Sequence, residues 1–413
     1  MRFRFFGICL VSLLAAGSIC GQAQQTESAQ SKQAADSVRS AVTEADGYIY
    51  VSGQSGNRSN GTLPNDFVQE ASQSLENIKY LLTSSGLGME NVVYIQVHLL
   101  DVGNYPALNG VLKKYFPSNA PAGAVLGVAR IPQGSIQVSA IAVRDLTGHK
   151  TVVPAKYKLT DVLSPGVLTK DRLFVSAMRG RDLESGKVPD DPAEQTDLAL
   201  DGLKAVAEAA GISMKHFVFI NPFLTQKIPT KIMNEHYASR FEFGNTPARA
   251  TIQVSALPQD AQIEYTGIAV RDLKLRHSIR PKNMPPSPTA SPCVFAGETL
   301  YCSAKSGFIP GPNGGVYGPN APVQLRQSMR NQLDNLEEAD MDLNDVVSTT
   351  VYLDNLSDTE AYDKVYRQYF KDKLPARTIL QQILPTNRAT DAEGHYPDVE
   401  QFSLVAVKRP PKK

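Results

Sequence analysis

The sequence predicts an α+β protein built from three tandem copies of one domain. Three observations predict it. The same landmarks recur in the same order at a period of roughly 125 to 130 residues, long enough for each copy to be a domain of its own. Within each copy the apolar pattern switches between strand and helix spacing. Between copies the chain turns polar and proline-rich, with Pro281, Pro285, Pro286, Pro288 and Pro292 in the second connection, as suits a spacer from one domain to the next.

The landmarks can be read directly. The opening strands are Tyr-Val-Ser-Gly-Gln (50–54), Phe-Val-Ser-Ala-Met (174–178) and Tyr-Cys-Ser-Ala-Lys (301–305). The middle segments begin at His98, Phe223 and Val351, and the closing strands at Ser135, Gln262 and Glu400. In the first copy Phe67, Ala71, Leu75, Ile78 and Leu82 return every three or four residues, one face of a helix that Gly86 ends. Val92 to Leu100 is β-branched and aromatic and reads as a strand. Tyr105 to Phe116 is a second, short helix, and Ala124 to Ile131 and Ser135 to Val143 read as two strands paired with each other. The second copy repeats the plan with a helix from Pro192 to Ala210, and the third with one from Val323 to Glu338. Two helices on one face leave the other face of each sheet to be covered. Three such sheets in one chain can cover one another around a common axis.

The resulting division is a signal peptide at 1–23, a flexible segment at 24–46, domains at 47–146, 166–273 and 293–409, connections at 147–165 and 274–292, and a basic tail at 410–413. Arg2 and Arg4 precede an apolar run from Phe5 to Ala16 and then small residues, the layout of a cleavable export signal. That run is shorter than the ~20 residues that span a bilayer. A lipidated Cys20 is the alternative, disfavoured by the large Ile19 before it. The expectation is an exported protein, periplasmic or secreted, free of the membrane once the signal is cleaved.

Over 413 residues, 42 % apolar and 20 % charged residues describe a soluble globular chain, and a net charge of +1 gives no field for nucleic acid. His98, His149, His216, His236, His277 and His395 show no paired ligand spacing, so no metal is expected. Gly311 to Gly318 follows no phosphate-loop pattern and reads as a surface loop. Cys293 and Cys302 flank two short strands around a Gly297-Glu298 turn and fall opposite each other. An oxidising compartment permits a disulfide there; two buried free thiols fit the sequence equally well.

The segment Pro-Ala-Arg-Ala-Thr-Ile-Gln-Val-Ser-Ala-Leu-Pro (247–258), followed by Ile263-Glu264 and Ile268-Ala269-Val270, resembles the signature of the RidA/YjgF family of imine deaminases. The first copy's helix, with Gln69, Gln73, Ser74, Leu75, Asn77 and Ile78, is similar to that family's helix. The resemblance implies a chorismate-mutase-like fold and, since family members assemble as homotrimers with ligand sites at subunit interfaces, a monomeric single-chain pseudo-trimer with clefts between its domains. It also implies hydrolysis of reactive enamines and imines of 2-amino acids to 2-keto acids and ammonia, without a cofactor.

The chemistry accounts for the residue types. A guanidinium grips a substrate carboxylate with two parallel hydrogen bonds, and a nearby carboxylate orients water and moves protons. The resemblance places Arg249 at the clamp and Glu264 at the acid/base position, with Asn234 and Ser176 lining the site; Leu163 falls near the place of the family's tyrosine. In the third copy Arg377 and Ser303 remain, Asp363 replaces the Asn, and Gln401 falls at the Glu position, with Asp398 or Glu400 as substitutes. In the first copy Asn109 and Ser52 remain, but Gly123 replaces the Arg and Gln137 the Glu. The expected partner is a small carboxylate, handled by a deaminase centred on Arg249. The competing readings are a non-catalytic small-ligand-binding or scaffold protein, favoured by Gly123, Gln137 and Gln401, and a ribonuclease, an activity attached to some relatives that the near-neutral charge disfavours.

Overall fold

The computed structural model describes residues 40–155, 157, 161–311, 315–371, 373–384 and 388–409. The expected signal and most of the segment after it lie outside these residues, as does the basic tail. Among the described residues no helix is long and apolar enough to cross a membrane.

The first domain opens with β1 (Val42–Ala45) and β2 (Tyr48–Ser55), paired antiparallel. Asp46 and Gly47 both have positive φ, 52° and 72°, the two-residue turn that matches the twist of a hairpin. The segment expected to be flexible to residue 46 therefore already carries a strand. Helix α1 (Phe67–Ser84) starts where the Asp66 side chain accepts from Gln69 N and buries Ala71, Leu75, Ile78 and Leu82. There follow β3 (Val92–Leu99), α2 (Tyr105–Tyr115), β4 (Ala122–Gly127) and β5 (Ile136–Val143).

One expected pairing is wrong. β4 does not pair with β5; it lies parallel to β3, and β5 runs antiparallel between β2 and β3. The reason is α2, which carries the chain back to its starting end, so the strand after it must run parallel to the strand before it. The sheet order is β1-β2-β5-β3-β4.

The second domain repeats this plan with β6 (Lys150–Val152), β7 (Gly166–Leu168), β8 (Arg172–Arg179), α3 (Pro192–Ala209), β9 (Phe217–Leu224), α4 (Thr230–Ala238), β10 (Ala248–Arg249), β11 (Ile252–Gln253) and β12 (Ile263–Val270). Its sheet runs β10-β9-β12-β8-β7-β6. The third has β13 (Arg276–Ile279), β14 (Cys293–Ala296), β15 (Thr299–Ser306), α5 (Ala321–Glu338), β16 (Val346–Leu353), α6 (Thr359–Tyr369), β17 (Ala376–Gln381) and β18 (Glu400–Val407), in the order β13-β14-β15-β18-β16-β17. Both connections thus lend an edge strand, β6 and β13, to the sheet that follows. Cys293 and Cys302 are register partners and form a disulfide.

Each domain packs its helices on one sheet face in a core of its own. The opposite faces meet in a shared core that includes Tyr50, Val93 and Tyr94 of the first domain, Phe174, Val218 and Ile268 of the second, and Val294, Tyr301 and Val347 of the third. At the same level a ring of neutral polar pairs lines a central cavity: Gln96 with Ser139, Asn221 with Thr266, and Thr350 with Ser403. The three-sheet pseudo-trimer expected from the repeats is the arrangement found.

Candidate functional site

Each sheet has two sides along its edge direction, and they face different neighbours. In the second domain Ser176 on β8 faces the first domain, where its Oγ accepts from Gly123 N at 2.8 Å. Arg249 on β10, at the other end of the sheet, faces the third domain, where its own N donates to Ser303 Oγ at 2.8 Å. The two contacts are the same contact in two copies, and they mark two boundaries of different content.

At the boundary of the second and third domains the guanidinium of Arg249 is held but not neutralised. Its Nη1 donates to Asn234 Oδ1 at 2.8 Å, and it lies 5.1 Å over the ring of Tyr237. No acidic side chain pairs with it among the described residues, and burial pushes its pKa below the ordinary arginine value. Gln401 reaches this boundary, its Nε2 donating to Thr251 O at 3.5 Å.

The boundary of the first and second domains is the reverse case. Gly123 offers no side chain, and a Cβ built there would meet the Ile95 carbonyl at 2.3 Å and Leu163 at 3.2 Å. Leu163 thus packs where the missing clamp would start. Glu264 is here, on β12, with Arg179 Nε 3.4 Å from its Oε2. The same guanidinium donates to Asp161 Oδ2 at 2.8 Å and Gln259 Oε1 at 3.2 Å, and the Tyr105 hydroxyl donates to Asp161 Oδ1. Burial pushes Glu264 up to about 7 against the pull of Arg179. Gln259 and Asp260 both carry positive φ, 60° and 59°, backbone strain that two non-glycine residues hold to bring Gln259 into this cluster.

The expectation that Arg249 and Glu264 share one cleft is therefore corrected. They lie in one repeat but serve different boundaries, because the strand of Arg249 is the edge toward the third domain while Glu264 lies beside β8, the strand facing the first. Asn234 meets Arg249 as expected; Ser303, expected to line the third copy's site with Arg377, lies at Arg249 instead, and Ser176, expected at Arg249, belongs to the other boundary.

Arg377, at the boundary of the third and first domains, is also corrected as an open clamp. Its Nη1 sits 2.7 Å from Asp363 Oδ1, its guanidinium lies 4.8 Å over Tyr366, and only 3 % of the residue is exposed. Replacing the Asn by Asp363 gives the cation an internal carboxylate. At this boundary Gln137, itself buried, holds the acid/base position.

The register also resolves the third copy's alignment. Gln401 pairs with Ser306 as Glu264 pairs with Arg179, so Gln401 stands at the acid position. Glu400 points the other way, toward Ser328 of α5 and Tyr362 of α6, and burial pushes it up to about 8. It is no substitute acid for the cleft. Because its folded pKa is raised, its contribution to stability is full below the unfolded value near 4.5 and is lost as pH rises through about 8. Across that window the wild type is expected to lose up to about 1.4 kcal/mol per pH unit relative to Glu400→Gln. Urea midpoints of both proteins at pH 5 and pH 9 check this; parallel pH dependence of the two would contradict it.

Sequence reasoning missed Arg179 and Asp161. Arg179 lies just beyond the aligned strand segment, at a place that is Ser55 and Ser306 in the other copies. Asp161 sat in a stretch read only as a connection.

Among the described residues no group of His, Cys, Asp and Glu is placed to hold a metal ion. The sequence profile of the family described as endoribonuclease L-PSP matches three times, at residues 29–144, 157–271 and 283–387. A goat 2-iminobutanoate/2-iminopropanoate deaminase is 42 % identical over 99 residues, 23 % of this chain and 72 % of that protein. The human protein of the same name is 40 % identical over 99 residues, again 23 % of this chain and 72 % of that one. Among solved structures, Escherichia coli TdcF with bound serine matches at 26 % identity over 30 % of this chain and 99 % of its own, with a TM-score of 0.28. A chorismatase is similar over 77 % of this chain and 93 % of its own, with a TM-score of 0.51 at 12 % identity, a likeness of fold extending beyond one repeat. Three profile matches covering most of the sequence, each on a domain with the same strand and helix order, establish that the chain belongs to the endoribonuclease L-PSP family, that of RidA and YjgF.

Proposed function

We propose that this chain captures small 2-oxo or 2-imino carboxylates in the cleft between its second and third domains, with Arg249 as the carboxylate clamp. One observation carries the reading: a desolvated guanidinium, fixed by Asn234 and Tyr237, with no acid partner among the described residues. Burying an unpaired cation is costly, and a ligand carboxylate offsets that cost with two charge-assisted hydrogen bonds. The substrate class follows the deaminases named among the relatives.

At this cleft the acid position is Gln401, and a carboxamide cannot take a proton from water near neutral pH. The geometry therefore favours binding over hydrolysis here. Imine hydrolysis is the second reading, favoured by Glu264, whose pKa near 7 suits proton transfer. Parallel assays separate the two. Calorimetric binding of 2-oxobutanoate without turnover of 2-iminobutanoate generated in situ supports the first, and turnover that disappears in Glu264→Gln supports the second. Absence of both sinks the carboxylate reading itself.

The N-terminal layout supports an exported protein. Expressed with its own N-terminus in a bacterium, the chain is expected to accumulate outside the cytoplasm, shortened at a site near residue 23. An intact N-terminus on the accumulated protein, read by mass spectrometry, would overturn this.

A further inference from the structure

The cleft between the first and second domains holds a carboxylate of the chain's own. Asp161 Oδ2 accepts from Arg179 Nη1 at 2.8 Å and lies 3.7 Å from Arg181 Nη2. Its Oδ1 accepts from the Tyr105 hydroxyl and from Gln259 Nε2, the latter at 3.1 Å. Two guanidiniums, a hydroxyl and a carboxamide, drawn from both walls of the cleft, thus converge on one carboxylate. Burial alone would raise Asp161; the charge of Arg179 and the Tyr105 hydroxyl outweigh it and hold the carboxyl below its ordinary value.

The boundary of the second and third domains supplies the comparison. Ser164 and Ser291 correspond: their N–H groups donate to Pro121 O and Pro247 O, and their carbonyls accept from Ser176 Oγ and Ser303 Oγ. Counted back from these anchors, Asp161 matches Pro288 and Leu163 matches Ala290. Where Arg249 is the cation, the connection therefore brings neither an acid nor a bulky side chain to these places. The cation has also changed walls. Gly123 lacks the guanidinium that Arg249 carries, and Arg179 supplies one from the facing domain, at a register place that is Ser306 in the third copy. Glu264 lies 3.4 Å from Arg179, but with burial pushing it up to about 7 it is only partly ionised near neutral pH. Asp161 supplies the lasting negative charge.

We propose that the cleft between the first and second domains is a second site for a small monocarboxylate, with Arg179 as its cation, and that the Asp161 side chain occupies it as a built-in ligand. The inference does not rest on the reading of Arg249. Each cleft then holds one guanidinium of this kind: met by Asp161 in the first, by Asp363 in the third, and by no acid among the described residues in the second. Removing the Asp161 side chain leaves two buried guanidiniums short of an anion, which a free carboxylate can supply.

The test uses acetate, which has the size and charge of the group that Asp161→Gly deletes, on the full chain carrying Arg249→Met to silence the other cleft. Melting is followed in about 0.1 M sodium acetate and in equal sodium chloride. The Arg249→Met parent is expected to melt alike in both salts. With Asp161→Gly added, the melt is expected to fall in chloride and to rise saturably by several degrees in acetate; a further Arg179→Met is expected to abolish that rise. If the Asp161→Gly protein is unfolded in chloride, acetate is expected to fold it. No response of the Asp161→Gly protein to acetate beyond the parent's, or one that survives Arg179→Met, would overturn the proposal. So would imine turnover by the wild type that depends on Glu264, since the site would then be open. A parent as responsive to acetate as the wild type counts against Arg249 alone, and the Asp161→Gly increment is still read against it.

Discussion

Arg249→Met is expected to lose affinity for 2-oxobutanoate by a factor of about 10² to 10³, the range that corresponds to removing one partner of a desolvated, hydrogen-bonded charge pair. The same variant is expected to be as stable as the wild type, or more so, in the absence of ligand. In the free protein the guanidinium has an amide and an aromatic face for company but, among the described residues, no carboxylate, so its replacement by an apolar chain of similar length removes a desolvation cost and little else. A site kept for binding at the expense of stability behaves this way. Calorimetry and a thermal melt on the same preparation read both effects. Affinity lost together with several degrees of melting temperature would mean that Arg249 is a structural residue and that the cleft is not built around it.

Arg172 makes the opposite expectation. Its side chain is fully buried and joins all three domains: it donates to Asp46 Oδ2 at 2.7 Å in the first, and to Thr299 Oγ1 at 2.8 Å and the Tyr301 hydroxyl at 3.1 Å in the third. Its own domain supplies Asp171 at 3.1 Å, and the Tyr48 ring lies 4.2 Å beneath it. Removing the guanidinium strands two carboxylates and several hydroxyls beside the shared core. Arg172→Ala is expected to cost about 3–5 kcal/mol, lowering the melting temperature by roughly 4–6 °C for a chain of this size. Arg172→Lys should not restore it, since one ammonium cannot reproduce a planar fork that meets two domains at once. A melt unchanged in Arg172→Ala would show that the domains are held by their apolar faces alone.

The contrast between these two arginines marks what the sequence discloses. Both are single arginines on strands, and only the partners tell a clamp from a pin. Copy number, helix limits and most strand limits were legible because they depend on local periodicity and on stops such as Gly86 and Gly211. The pairing of β4 with β3 was not, because it depends on the return path through α2. Nor was the strand at Val42–Ala45, whose hairpin turn at Asp46-Gly47 lay at the margin of a polar, low-complexity stretch. At the site, the family resemblance carried through the repeats pairs Arg249 with Asn234, but it sets Ser303 with Arg377 and Ser176 with Arg249, the reverse of the boundaries they occupy. The separation of Arg249 from Glu264 was not legible either, since repeat alignment places residues within a copy and says nothing of which neighbour each sheet edge meets. Asp161 and Arg179 close the first boundary through a contact between a connection and a strand that no spacing encodes.

The three boundaries differ in what they hold: an uncompensated guanidinium at Arg249, a guanidinium already bound to Asp363 at Arg377, and a glycine at 123. Among the described residues, the guanidinium of Arg249 alone of the three clamp positions stands without an acid partner, and it carries the proposed carboxylate site. The most direct test is the calorimetric stoichiometry of 2-oxobutanoate on the intact chain. The account expects one ligand per chain, with no residual binding in Arg249→Met. Three ligands per chain, or one that persists in Arg249→Met, would contradict it.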